Sequence, residues 1–147
     1  MKTLLANSNF ILFLATLLWG ISGIADKNAI TRAHPYTVQW LYALPYIVSI
    51  PLWYWLSVKA GAGAHPTIAA IGWSFAASVL TLLGMLCLFF AMRDKPASIA
   101  MAITSAYPLV TLLIAVLLKQ ESLSMPKIVG LLLIASGVFV LTLYGEG

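Results

Sequence analysis

Residues 66–92 read PTIAAIGWSFAASVLTLLGMLCLFFAM, and none of them carries a charge. A helix that crosses the hydrocarbon of a bilayer needs about 20 mainly apolar residues, and this stretch exceeds that. A membrane β-strand would instead alternate apolar and polar residues in segments of about ten. Here the apolar run is unbroken. In lipid the backbone must also be paired internally, which a single helix achieves by itself. The stretch reads as a transmembrane helix.

Working outward from it, charges and Pro/Gly clusters cut the chain into four more pieces of similar length. The five predicted helices cover about 4–25, 35–58, 66–92, 97–118 and 127–144. The first stops at Asp26-Lys27, and the second is entered through His34-Pro35. The third follows Gly61-Ala62-Gly63-Ala64-His65-Pro66 and ends at Arg93. Pro35, Pro66, Pro96 and Pro126 stand near helix starts, where a missing N–H costs little. The predicted fold class is an all-α membrane protein, a bundle of five transmembrane helices forming a single domain, 1–147. Lys2, the apolar stretch after it and Gly23-Ile24-Ala25 also resemble a signal peptide. The stretch is long enough to span, so it is read as the first helix.

Composition agrees with the spans. Of 147 residues, 62% are hydrophobic and 8% charged, with mean hydropathy +1.00. A water-soluble domain carries about 25% charged residues, because that surface faces water. The net charge of +4 is dispersed, and nothing in it suggests nucleic acid. Cys87 lies alone in an apolar run and reads as a small buried residue. His34 and His65 fall on opposite sides of the membrane, so no metal site or cofactor is expected. No nucleophile-and-base arrangement is visible, and the chain reads as a non-enzyme.

Orientation signals cancel. Lys2, Lys59, Lys119 and Lys127 fall on one side, and Lys27, Arg32, Arg93 and Lys95 on the other. Lys/Arg bias in short loops normally sets orientation. A balance of four against four leaves insertion weakly determined, or both orientations populated. Trp53, Tyr54, Trp55 and Tyr144 end spans where interface belts sit.

Polar residues recur at helical spacing. Thr16, Trp19, Ser22 and Asp26 mark the first span, and Gln39, Tyr42, Tyr46, Ser49 and Trp53 the second. Ser74, Ser78 and Thr81 mark the third, and Thr104, Tyr107 and Thr111 the fourth. Each set lies on one face. The serines and threonines read first as hydrogen bonds between helices. The Gln39–Tyr42–Tyr46 stripe reads as a cavity wall, because bulky polar groups are costly against lipid. Pro45, Pro51 and Pro108 lie inside spans and favour kinks; Pro45 and Pro108 are the candidate hinges. Ser98, Ala102 and Ala106 form a small-residue face, and Gly130 and Gly137 offer close approach on the fifth helix. The middle third of every span lacks ionisable groups. Asp26 comes nearest, at a span end, and reads as a solvated pair with Lys27.

At Leu18-Trp19-Gly20, and again from Arg93 to Thr142, the chain resembles the EamA family of the drug/metabolite transporter superfamily. The carrying residues include Lys27, Ala29, Pro35 and Thr37, then Ala91-Met92-Arg93 and Ala97-Ser98. They continue through Ala106-Tyr107-Pro108-Leu109-Val110-Thr111, Glu121-Ser122-Leu123-Ser124, Gly130 and Gly137. Most members carry two five-helix units, inverted relative to each other; this sequence looks like one such unit. It departs from the family at Tyr42, where an Arg is common. It departs again at Lys119-Gln120-Glu121, where Gly-Glu is frequent.

The resemblance implies a small-molecule transporter of a bacterial-type inner (plasma) membrane, working by alternating access. Its partners would be the lipid bilayer and a second copy or a paralogue, as a homodimer or heterodimer. It also implies that the first, second and fourth helices lie near a central cavity. With the stripes, this gives the candidate substrate-binding set Trp19, Gln39, Tyr42, Tyr46, Thr104 and Tyr107. A membrane subunit that transports nothing and a lipid-carrier flippase subunit remain alternatives.

Overall fold

In the computed structural model, residues 8–61 and 66–145 are described. The starts and loops assigned above to residues 1–7, 62–65 and 146–147 lie outside them. The described residues form six helical segments and no strand: α1 (Ser8–Ile30), α2 (Pro35–Lys59), α3 (Ile68–Asp94), α4 (Ala97–Thr104), α5 (Tyr107–Leu117) and α6 (Met125–Tyr144). With α4 and α5 counted as one crossing, Ala97–Leu117, five stretches are long and apolar enough to span a membrane.

Local chemistry explains where each begins. His34 caps α2, its Nδ1 accepting the Tyr36 N–H at 3.3 Å, and Pro35 occupies the first turn. Thr67 caps α3, its Oγ1 accepting the Ala70 N–H at 3.2 Å. Pro96 immediately precedes α4, and Pro126 is the second residue of α6. Pro45 and Pro51 lie inside α2, which nevertheless runs unbroken for 25 residues.

Two spans depart from the predicted bounds. α1 does not stop at Asp26-Lys27 but continues one turn to Ile30, so both residues are helical. The fourth span breaks. Thr104 ends α4, Ser105 and Ala106 form a turn, and α5 restarts at Tyr107 with Pro108 in its first turn. Pro108 has no N–H to donate four residues back, so the ladder cannot continue through it.

The chain divides into two compact units, one being residues 28–90 and the other the chain up to Lys27 with the chain from Ala91 onward. In the first, Ile30, Val38 and Phe89 form the core, with Ala29, Ala33, Tyr42 and Met85 packed against it. In the second, α6 packs on α4 and α5. Here α1 also approaches α4 closely. A Cβ added to Gly23 would lie 3.1 Å from the Met101 side chain. Gly130 and Gly137, by contrast, face open space. Most large apolar side chains are exposed, and every residue from Ile68 to Gly84 is. In water that surface would be untenable; against lipid tails it is satisfied. The protein is a multi-pass membrane protein.

Candidate functional site

In the unit formed by residues 28–90, α2 presents Gln39, Tyr42 and Tyr46 at spacings of three and four, hence on one face. Tyr42 is half-buried, and its ring meets Phe89 nearly edge-on, with centroids 5.6 Å apart. Tyr46 follows at 6.1 Å from Tyr42, tilted and 63% exposed. Phe89 is wholly buried, so it fixes the first tyrosine while the second stays open. Gln39 closes the other end. Its Nε2 donates to the Leu82 carbonyl of α3 at 3.1 Å. Its Oε1 is buried and accepts nothing. A buried acceptor left empty costs about 1–3 kcal/mol.

The same unit holds a second aromatic group. His34, Tyr36 and Phe90 meet pairwise at 5.2 to 5.9 Å. At the far end of α2 the Lys59 ammonium sits 4.8 Å over the Trp55 ring, a cation–π contact suited to a membrane interface. A shallow groove runs along α3, lined by Pro66, Ala70, Ile71, Ser74, Phe75 and Ser78. It includes none of the predicted site residues.

In the other unit, Thr104 and Tyr107 flank the break in the fourth span. Thr104 Oγ1 lies 3.0 Å from both the Ala100 and Met101 carbonyls. Tyr107 is 59% exposed, and its carbonyl accepts from Thr111 Oγ1 at 3.2 Å. Trp19, on α1, is 62% exposed. The structure therefore brings Gln39, Tyr42 and Tyr46 together in one unit and places Thr104 beside Tyr107 in the other.

The reading of serines and threonines as links between helices is corrected. Thr16, Ser22, Ser49, Ser78, Thr104 and Thr111 each donate to a carbonyl three or four residues back on their own helix. That carbonyl is always within reach of a short hydroxyl side chain, so the bond needs no partner helix. The solvated Asp26–Lys27 pair is likewise absent. Asp26 is 6% exposed, and the Lys27 ammonium donates instead to the Met92 and Lys95 carbonyls. Sequence reasoning also missed Phe89 as the partner of Tyr42, because nothing in an apolar run marks one ring among several. The burial of Asp26 could have been found, since Gly23, Asp26 and Ile30 share one face of α1. Among the described residues, no three His, Cys, Asp or Glu gather to hold a metal.

A polar-aromatic ladder on one helix and a proline-broken span on another are the features to compare with known proteins. Residues 7–143 match the EamA-like transporter family. The chain belongs to that family. It is thereby placed in the drug/metabolite transporter superfamily, as a single five-helix unit. An uncharacterised protein of Methanocaldococcus jannaschii is 32% identical over 66 residues, which cover 45% of this chain and 48% of that protein. The chain thus spans about half the length of the curated relative it matches. No solved structure matches this EamA-family chain.

Proposed function

We propose that this EamA-family protein moves a small organic solute or metabolite across the inner (plasma) membrane by alternating access, as a dimer. The two subunits are copies in opposite orientation, or a copy and a paralogue. The observation that carries the reading is the family match over one five-span unit. An odd number of crossings puts the two ends of the matched unit on opposite sides. Two such units in opposite orientation rebuild an inverted repeat, with the site at the midplane between them. The balance of Lys/Arg between the loops supports dual orientation.

Trp19, Gln39, Tyr42, Tyr46, Thr104 and Tyr107 are the proposed solute contacts, with Pro45 and Pro108 as hinges. The open ring of Tyr46 and the unfilled Gln39 Oε1 suit a neutral or cationic amphipathic solute that carries a hydrogen-bond donor. A thermal-shift screen of the purified protein against a metabolite panel tests this. A transported solute stabilises the folded state by mass action. A panel of such solutes in which none raises the melting temperature argues for a subunit that binds no small molecule.

A further inference from the structure

The fourth span is interrupted beside its middle. Ala97–Leu117 has 21 residues, so Tyr107 is its midpoint, and the turn at Ser105 and Ala106 stands just before it. Such a break leaves carbonyls at the end of one helix and N–H groups at the start of the next. Here the two sets do not balance. The Met101 carbonyl accepts the Ser105 N–H at 2.9 Å, and the Ile103 carbonyl accepts the Ala106 N–H at 3.2 Å. The Ala102 carbonyl accepts from Ser105 Oγ at 2.6 Å. The donors due to the next two carbonyls are missing. Residue 108, which would serve Thr104, is a proline. The Leu109 N–H, which would serve Ser105, is spent on the Ala106 carbonyl at 2.9 Å. The start of α5 thus offers the Tyr107 N–H alone against the carbonyls of Thr104 and Ser105.

This excess of oxygen is open and uncharged. Thr104 and Ser105 are exposed, and so is Tyr107. The two hydroxyls spend their hydrogens on carbonyls of α4, which leaves lone pairs on both oxygens. α4, α5 and α6 contain no Asp, Glu or His, so no carboxylate or imidazole stands there to take up a proton. Their one cation, Lys127 at the start of α6, pairs with Glu121 at 2.6 Å. At the depth of the hydrocarbon, a carbonyl without a donor is costly.

We infer that the break is a binding site for a small monovalent cation, held by the Thr104 and Ser105 carbonyls and the hydroxyl oxygens beside them. Unwound carbonyls of interrupted membrane helices are suited to sodium, and the carbonyl end of a helix favours positive charge. The cation is an alkali ion such as sodium, or the ammonium group of a solute, since the same neutral oxygens recognise both. A divalent ion calls for carboxylates, which these three helices lack. Water or solute completes the coordination. The binding stands on the break alone; only its use, coupling a cation to solute movement, rests on the transport reading.

The test uses the whole chain in lipid nanodiscs, without solute. Radioactive sodium binding is followed by scintillation proximity, with N-methyl-D-glucamine holding the ionic strength constant. Thermal unfolding is followed in parallel with sodium or methylammonium. Saturable binding of one of these two cations is expected. Sodium binding marks an alkali site, and stabilisation by methylammonium alone marks a site for a solute's ammonium. Pro108→Ala supplies the missing N–H to the Thr104 carbonyl, and Thr104→Val removes a hydroxyl while keeping the shape. Each should raise the half-saturating concentration about tenfold or more. Ser136→Ala removes a hydroxyl bonded to the Leu133 carbonyl in the unbroken α6 and should change nothing. If Pro108→Ala fails to fold, Thr104→Val decides. Saturation by neither cation overturns the inference, leaving water alone at the break. Binding of unchanged strength in both variants overturns it too, by placing the cation elsewhere. Either failure leaves the transport reading to its own screen.

Discussion

The Lys27 ammonium of α1 donates to the backbone carbonyl of Lys95 at 3.0 Å, and also to that of Met92. These are carbonyls of the last turn of α3 and the residue beyond it, where the helix has no N–H of its own to offer. The negative end of the helix dipole adds to the attraction. Lys27 thus ties α1 to the α3–α4 corner.

Replacing it with an apolar side chain of similar length should loosen that corner. Lys27→Met is expected to destabilise the protein by about 1.5–3 kcal/mol, the range for hydrogen bonds to charged groups. Lys27→Arg keeps the charge and most of the donors and should lose less. Thermal unfolding in detergent, followed by helicity, measures both. Equal melting temperatures for Lys27→Met and the parent would mean that water satisfies those carbonyls equally well.

Topology is the second expectation. With Lys/Arg balanced between the two sets of loops, reporter fusions at Gly147 should be active on both sides of one membrane. Adding two or three lysines to one set should bias insertion towards that side, because local positive charge sets orientation. Fusions active on one side alone would leave the paired-with-a-paralogue form of the proposal and remove the dual-orientation form.

The third concerns the break at Pro108. In Pro108→Ala the new N–H can donate to the Thr104 carbonyl, joining α4 and α5 into one helix over Ala97–Leu117, 21 residues. Solute movement in reconstituted vesicles should fall while membrane insertion and helicity hold. Undiminished transport would assign the break to packing alone.

How much of this was legible beforehand varies with the physics involved. The spans were readable because lipid imposes a length and a polarity that no tertiary contact overrides. Pro108 announced a disturbance, but whether a mid-span proline bends a helix or ends it depends on the turn before it. At Pro45 and Pro51 the helix continued, and at Ser105-Ala106 it did not. The ladder Gln39–Tyr42–Tyr46 was visible as spacing. Its meeting with Phe89 was not, because a ring inside an apolar run carries no periodic mark. Asp26 was misplaced for a different reason. An acid followed by a lysine looks like a helix end at the interface, yet here the helix runs one more turn and Asp26 is 6% exposed.

Gln39 gives a fourth expectation, in which stability and function part. Gln39→Met removes one hydrogen bond to Leu82 but also the buried acceptor that nothing fills. The two terms are of similar size, about 0.5–1.5 kcal/mol gained from the bond against about 1–3 kcal/mol for the orphan. The melting temperature should therefore stay level or rise. Solute binding should weaken about tenfold or more, since a missing acceptor costs roughly 1–2 kcal/mol for a donor-bearing ligand. Calorimetry with any solute found by the thermal-shift screen measures the second term. Lost stability with unchanged binding would make Gln39 a packing residue.

The last expectation decides whether the ladder faces water, a neighbour or lipid. A side chain open in an isolated chain meets one of the three in the membrane, and each treats a cysteine differently. Water-soluble thiol reagents attack the thiolate, which forms in water and not in hydrocarbon. Cys87, expected from its apolar run to be buried, is instead exposed and must first be replaced by Ala. In that background Gln39→Cys, Tyr42→Cys and Tyr107→Cys should each react with a small charged reagent. A transported solute should protect them. Val48→Cys serves as the control. Val48 is 79% exposed on the same helix as Tyr46, and it belongs to the apolar surface expected to face lipid. It should stay inert although it is more open than Tyr107 at 59%. Reaction at 39, 42 and 107 with silence at 48 requires an aqueous cavity beside the ladder. Silence at all four positions would describe a dry interior packed against another helix, and the proposed solute site would have no path to water. Reaction at Val48 along with the others would mean that the solubilised protein no longer excludes water from its lipid-facing side, and the comparison would then be repeated in intact membranes, where that side is sealed.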